Sequence, residues 1–227
     1  SAAWQKLLGM DTLKSNAFVN HVLLNMTRNM NPDAAGRLRD AMITRIDPSS
    51  IARRDDAENF SLLLGASGQR DQAIAVLVAA AKHPRTSQHS DRVLVDALYN
   101  LEARNEAAGM LIELSRTSPV ILTHDPAYGL YRAEELEDPA MRDALFDRII
   151  ELAPTDALAT YVAALKTWYG PDKAVGQAAL VAFADAPEAQ SPQLFRLADL
   201  FREQGEDALA LKCLERLAGG DYGDEVQ

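Results

Sequence analysis

Histidine and cysteine, which often act as catalytic groups and metal ligands, are few and scattered in this sequence. The four histidines lie in separate parts of the chain. His83 and His89 flank the loop sequence PRTSQ, and this spacing does not place two imidazoles on one helix face, as a helix-borne metal pair requires. His21 lies within a helical pattern beside Val22 and Leu23, which indicates a surface or boundary residue. None of these patterns predicts a catalytic histidine.

The remaining candidates for chemistry also fit structural roles. His124 precedes Asp125, which we interpret as a helix cap before Pro126. Cys213 is the only cysteine and falls among leucines of the last helical pattern, so we expect a buried, inert thiol. The sequence contains no G-x-S-x-G, P-loop, H-E-x-x-H or dinucleotide-binding fingerprint. We therefore predict a non-catalytic protein that uses neither a cofactor nor a metal.

The charge is negative and unevenly distributed. Residues 1–54 carry 8 Lys/Arg against 4 Asp/Glu, whereas residues 55–227 carry 15 against 29, within a net charge of −10. A negative body repels phosphate backbones, so we do not expect a nucleic-acid partner. The longest uninterrupted apolar run covers residues 73–81, well below the ~20 residues that a membrane-spanning helix needs, so no direct membrane span is predicted.

The N-terminus does not have the pattern of an intact signal peptide, because it lacks a basic segment followed by an apolar one. The compartment therefore stays open between the cytoplasm and, if a signal peptide was removed, the periplasm. Alanine and leucine dominate the apolar residues, and this composition favours helices over strands.

Prolines recur at a nearly constant interval. Pro48, Pro84, Pro119, Pro154 and Pro187 are separated by 36, 35, 35 and 33 residues. Between two of them, the sequence SDRVLVDALYNLEA has a helical apolar face, RNE breaks the pattern, and AAGMLIELSRTS resumes it. The pattern therefore predicts one helix–turn–helix unit that ends at a proline. The neighbouring segments can be read the same way, which predicts stacked helical hairpins with a continuous core.

Small residues mark the points where paired helices must approach closely. The position early in the second helix is held by Ala73, Ala107 and Ala210, with Arg142 and Val175 as the exceptions in the other two units. Glycines at the turns between paired helices help the chain to reverse. These are Gly68, Gly170 and Gly205, and the turn of the unit that ends at Pro187 is predicted to be shortened.

These patterns resemble the tetratricopeptide repeat family, whose units place small, large apolar and proline residues in a fixed order. The last unit matches that order with Leu194, Leu197, Ala198, Phe201, Gly205, Ala210 and Leu214. The resemblance covers residues 54–218 as five degenerate hairpins, preceded by poorly matching N-terminal helices in 1–53 and followed by an acidic, Gly-rich tail in 219–227. It implies an all-α, right-handed α-solenoid of stacked antiparallel hairpins with about twelve helices.

The resemblance also implies a function. In this family the first helices of successive hairpins line a concave groove that binds extended peptides or helices of a protein partner. By position, the groove would be lined by Arg92, Asp96, Tyr99, Asn100, Tyr128, Tyr131, Tyr161, Trp168, Arg196 and Asp199. We prefer Tyr99, Tyr131 and Trp168 as anchors, because large, rigid rings suit a binding surface. The alternative is that these rings pack between neighbouring helices.

The charges argue against one partner of this family, an acidic C-terminal tail gripped by lysines and asparagines. Arg92 stands where such a lysine would be, but Asp96 occupies the place of an asparagine and would repel a carboxylate. The acidic stretch at residues 134–138 could steer a basic partner or simply face solvent.

Two other functions remain open at this stage. The chain could be a structural docking domain of a larger multidomain protein, which the poorly matching N-terminal segment favours. It could also be an accessory factor in bacterial secretion, pilus or cell-envelope polymer assembly, since Arg- and Asp-rich, Lys-poor helices are typical of GC-rich bacterial genomes. Because no polar capping helix follows the last hairpin, we also expect that hairpin to be covered either by self-association or by a downstream segment of a longer chain.

Overall fold

The computed structural model describes residues 31–44, 46, 51, 54–83 and 89–219. These residues form twelve helices and no strand. The helices are α1 (Pro32–Ile43), α2 (Arg54–Ala66), α3 (Arg70–Ala80), α4 (His89–Asn100), α5 (Arg104–Thr117), α6 (Val120–Thr123), α7 (Pro126–Glu134), α8 (Pro139–Leu152), α9 (Asp156–Tyr169), α10 (Lys173–Asp185), α11 (Ser191–Glu203) and α12 (Asp207–Gly219). The predicted all-α fold is confirmed. His21, Pro48, Pro84 and the tail beyond Gly219 fall outside the described residues.

Consecutive helices pack against one another. Paired helices contact each other in α2–α3, α4–α5, α9–α10 and α11–α12, and the second helix of one pair contacts the next pair in α3–α4, α5–α7 and α10–α11. The first helices α2 and α4 also pack side by side. The prediction of a helical array in which hairpins contact their neighbours is therefore confirmed for the helices from α1 to α7 and for those from α9 to α12. None of the described helices is long and apolar enough to span a bilayer.

The chain divides into two compact units. The first unit extends to Leu145 and the second begins at Phe146, so the division falls within α8. The core of the first unit includes Phe60, Leu77 and Leu98, and that of the second includes Phe146, Leu180 and Phe201. All of these side chains are almost completely buried.

The helix boundaries follow the sequence signals. Asn31 caps α1, where its Oδ1 accepts from the Asp33 amide at 3.0 Å, and Pro32 follows as the first helical residue. Asp125 caps α7 in the same way, accepting from the Tyr128 amide at 3.3 Å before Pro126, as predicted. Three of the repeated prolines lie in the links between hairpins, namely Pro119, Pro154 and Pro187.

Three turns between paired helices share one hydrogen-bond pattern, in which an amide donates to the carbonyl five residues earlier. The bonds are Gln69 to Leu64 at 2.8 Å, Ala103 to Leu98 at 3.0 Å and Glu206 to Phe201 at 2.9 Å. This is the Schellman motif, and it requires a left-handed residue just before the donor. Those residues are Gly68 (φ 76°), Glu102 (φ 58°) and Gly205 (φ 76°).

The hairpin α9–α10 differs from the prediction in two respects. Its turn covers residues 170–172 and is as long as that between α2 and α3, so it is not shortened. Gly170 has a φ of −87°, which any residue can adopt. The small position is held by Gly176, not Val175, because Gly176 donates to the carbonyl of Asp172 just as Ala73 donates to that of Gln69. Val175 is instead 63% exposed.

A basic residue at the start of three second helices reaches the turn of the next hairpin. Arg70 Nε donates to the Leu101 carbonyl at 2.8 Å, and Arg104 Nη1 donates to the Glu135 carbonyl at 3.3 Å. In the second unit, Lys173 Nζ donates to Gln204 Oε1 at 2.6 Å. Each donor precedes its acceptor by 31 residues. The contact of a basic side chain with the next turn therefore recurs at a constant spacing, through a main-chain oxygen in two hairpins and a side-chain oxygen in the third.

A buried ion pair connects the first two complete hairpins. Arg54 Nη1 contacts Asp91 Oδ1, and Arg54 Nη2 donates to the Ala81 carbonyl at 2.9 Å. The side chains of Arg54 and Asp91 are only 6% and 1% exposed. The pair therefore joins the N-terminal ends of α2 and α4 to the end of α3.

Candidate functional site

The first helices α4 and α7 are joined by ionic and hydrogen-bonded side chains at spacings of one helical turn. On α4, Arg92 and Asp96 are four residues apart. Arg92 Nη2 donates to Asp125 Oδ2 at 3.0 Å, and Asp96 Oδ1 accepts from Arg132 Nη2 at 3.0 Å. The i, i+4 spacing aligns these side chains along one face of the helix. The two pairs run in opposite directions between the helices, so each helix supplies one acid and one base.

Two tyrosines complete this contact. The Tyr128 hydroxyl donates to Asp96 Oδ1 at 2.8 Å, and the Tyr99 hydroxyl donates to the Arg132 carbonyl at 3.0 Å. The guanidinium of Arg92 lies 4.0 Å from the ring centroid of Tyr128, and that of Arg132 lies 3.8 Å from that of Tyr99. Both distances are typical of cation–π contacts. We refer to Arg92, Asp96, Tyr99, Asp125, Tyr128 and Arg132 as the α4–α7 cluster.

The two tyrosines of the cluster stay neutral further into the alkaline range than an ordinary tyrosine. Burial raises the pKa of Tyr99 to about 12. Burial also raises the pKa of Tyr128, and the hydrogen bond that its hydroxyl donates to Asp96 raises it further. A neutral phenol donates a hydrogen bond that a phenolate cannot donate. Both hydroxyls therefore act as fixed donors, which hold α4 and α7 in one relative position.

The carboxylates of this region are more open to solvent than the guanidinium of Arg132. The side chains of Asp96 and Glu135 are 45% and 49% exposed, whereas that of Arg132 is 23% exposed because it lies over the Tyr99 ring. Asp96 Oδ1 accepts both bonds within the cluster, and Oδ2 accepts none from the described residues. Tyr131, one turn after Tyr128, is 55% exposed. The surface therefore combines an acidic oxygen with an exposed aromatic ring.

The predicted groove residues of the first unit thus fall into two groups. Arg92, Asp96, Tyr99 and Tyr128 are brought together and engage one another or α7. Asn100 and Tyr131 are exposed at the ends of this region. Two residues that organise the cluster were not among the predicted groove residues: Asp125, which was predicted only as a helix cap, and Arg132. The spacing of 36 residues from Asp96 to Arg132, close to the repeat length, is the signal that could have found Arg132.

The prediction that Tyr161 and Trp168 present their rings to a partner is wrong. They are 1% and 4% exposed and belong to the core of the second unit. The Tyr161 ring lies 5.1 Å from that of Phe183, and Trp168 meets Phe201 edge to face at 6.4 Å. The apolar stripe of α9 explains this placement, since Tyr161 follows Leu158 by three residues and precedes Leu165 by four.

The other predicted residues of the second unit lie on α11. Arg196 is half-buried, and Asp199 is exposed and pairs with Arg202 at 2.8 Å. Phe195, which the sequence analysis did not select, is 58% exposed. Phe195 lies ten residues before Gly205, the left-handed residue of its turn. Arg92 lies ten residues before Glu102, the left-handed residue of the equivalent turn, so Phe195 and Arg92 occupy equivalent positions. Alignment on the left-handed turn residue would therefore have identified Phe195 as a surface position.

The histidines and the cysteine do not form a site in the described part of the chain. No group of three or more His, Cys, Asp or Glu residues there could hold a metal ion. Cys213 is 2% exposed, and burial raises the pKa of its thiol. The thiol therefore stays protonated and poorly nucleophilic at neutral pH.

The chain matches no protein-family model and none of the curated proteins with which it was compared. The resemblance to tetratricopeptide repeats therefore stays a prediction that rests on the residues themselves. The function has to be argued from the surface geometry.

Proposed function

We propose that this protein is a non-catalytic interaction module that binds a segment of a partner protein on the face formed by α4 and α7. The observations that carry this proposal are the open Oδ2 of Asp96 on α4 and the exposed ring of Tyr131 on α7. An ordered carboxylate and an exposed tyrosine offer a charged contact and an aromatic one on one rigid surface.

The chemistry of the surface favours a partner segment that carries lysine or arginine. Asp96 and Glu135 face solvent, while the cation of Arg132 is covered by the Tyr99 ring. A basic side chain of the partner would reach Asp96 Oδ2 without displacing the bonds that Oδ1 already accepts. The net charge of −10 would further raise the rate of encounter with a basic segment.

The rigidity of the surface supports the same proposal. The six side chains of the cluster take part in four direct hydrogen bonds between α4 and the segment of α7 with its cap, so a partner would meet a preorganised site. Binding to a preorganised surface loses less conformational entropy than binding to a flexible one. The cluster residues therefore position the surface, and Asp96 and Tyr131 contact the partner.

A selection from a random peptide display library tests the proposal. Peptides enriched on the wild-type chain should contain lysine or arginine next to an apolar residue, and their affinity should fall as salt is added. Asp96→Asn keeps the Oδ1 acceptor but removes the charge, and we expect about tenfold weaker binding by calorimetry, as for loss of a charged hydrogen bond. Tyr131→Ala should weaken binding similarly.

Two variants serve as matched controls. Asp71→Asn removes the same charge from a side chain on α3 that is 99% exposed. Val78→Ala removes exposed apolar surface from the same helix, where Val78 is 43% exposed. Both should bind the selected peptides like the wild type. Enrichment of acidic peptides, or equal binding by Asp96→Asn and the wild type, would contradict the proposal and favour the hypothesis of a docking domain.

A further inference from the structure

The two carboxylate oxygens of Asp96 differ in what they can still accept. Oδ1 accepts two hydrogen bonds from α7, one from the Tyr128 hydroxyl at 2.8 Å and one from Arg132 Nη2 at 3.0 Å. A carboxylate oxygen has two lone pairs, so both acceptor positions of Oδ1 are occupied. Oδ2 accepts no bond from the described residues, and the side chain of Asp96 is 45% exposed. A partner that leaves the cluster intact can therefore bond only to Oδ2.

A single open oxygen distinguishes the two basic side chains that a partner can carry. Arginine binds a carboxylate best through two parallel N–H bonds, one to each oxygen. At Asp96 the second of these bonds would have to displace Tyr128 or Arg132 from Oδ1. Lysine needs a single acceptor, and its charge is concentrated at the nitrogen that makes the bond, whereas the charge of arginine is spread over three nitrogens. One bond to Oδ2 therefore brings more positive charge close to the carboxylate from lysine than from arginine.

The tyrosine rings of the cluster offer an arginine no compensation. A guanidinium also binds by stacking on an aromatic face. The Tyr128 ring is buried and already has the Arg92 guanidinium at 4.0 Å from its centroid. The Tyr99 ring has the Arg132 guanidinium at 3.8 Å. The arginines of the protein itself thus occupy the stacking positions beside Asp96.

We infer that this surface selects lysine over arginine in the partner segment, and that Arg132 sets this selectivity. The inference rests on the proposed function, because it specifies which side chain contacts Asp96. Arg132 acts through Asp96, by occupying Oδ1, and does not itself contact the partner. The partial exposure of Asp96 suits an ammonium, because the two N–H groups that do not bond to Oδ2 stay in water.

The selection from a random peptide display library gives the first test. Among the peptides enriched on the wild-type chain, lysine should exceed arginine relative to the starting library. One enriched peptide is then synthesised with lysine, arginine or trimethyl-lysine at its basic position, and calorimetry measures the three Kd values. We expect the arginine form to bind about threefold more weakly than the lysine form. Trimethyl-lysine keeps the charge but has no N–H group, so it should also bind more weakly than lysine.

Variants test whether the occupation of Oδ1 causes the preference. Arg132→Met removes one donor to Oδ1 and keeps an apolar side chain over Tyr99, whereas Tyr128→Phe removes the other donor and keeps the ring beneath Arg92. Each variant frees one lone pair of Oδ1, so the ratio of the arginine-form Kd to the lysine-form Kd should fall about tenfold in at least one of them. The ratio is compared because loss of the Arg132 charge strengthens the binding of either cation.

Arg116→Met is the matched control. It removes the same charge from an exposed side chain of α5, where Arg116 is 61% exposed, and should leave the ratio unchanged. Circular dichroism melts show whether each variant is folded at the temperature of the binding measurement.

The outcomes separate this inference from the proposed function. If basic peptides are enriched but the arginine form binds as tightly as the lysine form, the inference is overturned and the proposed function stands. The same holds if the ratio is unchanged in both folded variants. Tighter binding of trimethyl-lysine than of lysine also overturns the inference, because an aromatic ring then captures the cation. If basic residues are not enriched at all, the proposed function fails and the inference fails with it.

Discussion

Glu102 occupies the same backbone conformation as Gly68, 34 positions earlier in the chain. The φ angles are 58° and 76°, and each residue lies one position before the amide that closes its Schellman motif. A side chain in the left-handed region crowds the following carbonyl, whereas glycine does not. The turn between α4 and α5 therefore keeps the Schellman geometry although its left-handed position holds glutamate and not glycine.

This relationship predicts that Glu102→Gly stabilises the protein. Relief of the left-handed conformation contributes about 1 kcal/mol, and the more flexible unfolded chain offsets part of it, so the net gain should be about 0.5 kcal/mol. The free energy of unfolding in urea measures it. Glu102→Ala is the matched control, because it removes the side chain but keeps the Cβ, and it should not stabilise. Gly68→Ala should lower the unfolding free energy by about 1 kcal/mol.

The helices α9 and α10 are in closer contact at Gly176 than a larger residue allows. A Cβ at this position would lie 2.3 Å from the Trp168 amide nitrogen and 2.4 Å from its Cα. Because both atoms belong to the backbone, the helices must separate to admit it. We expect Gly176→Ala to destabilise the second unit by about 3 kcal/mol, at the upper end for overpacking, measured by denaturant unfolding.

Gly109→Ala is the control for this change. A Cβ there would approach no closer than 3.9 Å, to Met141 Cε, so alanine should stabilise α5 by about 0.5–1 kcal/mol. If Gly176→Ala proved as stable as the wild type, the close contact of α9 and α10 would be wrong.

The raised pKa of Tyr99, about 12, makes stability depend on pH in the alkaline range. The unfolded phenol titrates near 10, so the stabilisation is complete below pH 10 and is lost as the pH rises through about 12. The Tyr128 hydroxyl acts in the same direction. We expect the free energy of unfolding to fall between pH 10 and about 12 in the wild type.

The double variant Tyr99→Phe/Tyr128→Phe tests the assignment. Phenylalanine cannot ionise, so the loss of stability between pH 10 and about 12 should become shallower. In a pH titration of the folded wild type, the phenolate absorption of two tyrosines should appear only at a higher pH than that of an ordinary tyrosine. An equally steep fall in the double variant would show that other groups cause it.

Breaking the buried pair of Arg54 and Asp91 should destabilise the protein strongly, whereas replacing both residues by apolar ones should destabilise it little. Asp91→Asn leaves the Arg54 guanidinium buried without its counter-ion, which typically costs about 3–5 kcal/mol. The double variant Arg54→Met/Asp91→Leu replaces both charges by apolar groups and should recover most of that loss. Thermal unfolding measures all three proteins.

Glu113→Gln is the matched control for the buried pair. Glu113 pairs with Arg116 at 2.6 Å, but the two side chains are 67% and 61% exposed. Breaking an exposed pair should change the stability by less than about 1 kcal/mol. If Asp91→Asn behaved like Glu113→Gln, the pair would not be buried as described.

The sequence predicted the fold because hairpin stacking uses local signals that repeat. Prolines stop helices, Asn31 and Asp125 cap them, and Ala73 and Ala107 mark close helix contacts, all without reference to distant residues. The predicted small position of α10 was wrong by one residue, at Val175 instead of Gly176. That position was assigned from the family pattern and not by counting from the turn that precedes α10. The N-terminal bond from Gly176 to Asp172 fixes that register.

The candidate site was less predictable because its contacts join residues one repeat apart. Helical periodicity placed Arg92, Asp96 and Tyr99 on one face, but it could not show that Arg132 would pair with Asp96. Tyr161 was misassigned because an aromatic residue on an apolar stripe has the same local pattern whether it faces a partner or the core. Burial depends on the next helix, which local sequence does not specify.

The bonds from Arg70 to the Leu101 carbonyl and from Arg104 to the Glu135 carbonyl share an acceptor that every residue carries, the main-chain oxygen. The identity of the acceptor residue is therefore unconstrained, and Leu101 and Glu135 indeed have little in common. A gene duplication that copied one hairpin would bring its arginine to a usable acceptor in whatever hairpin came next. Copying of a single unit therefore preserves this contact between hairpins, while the side chains at each turn are free to diverge.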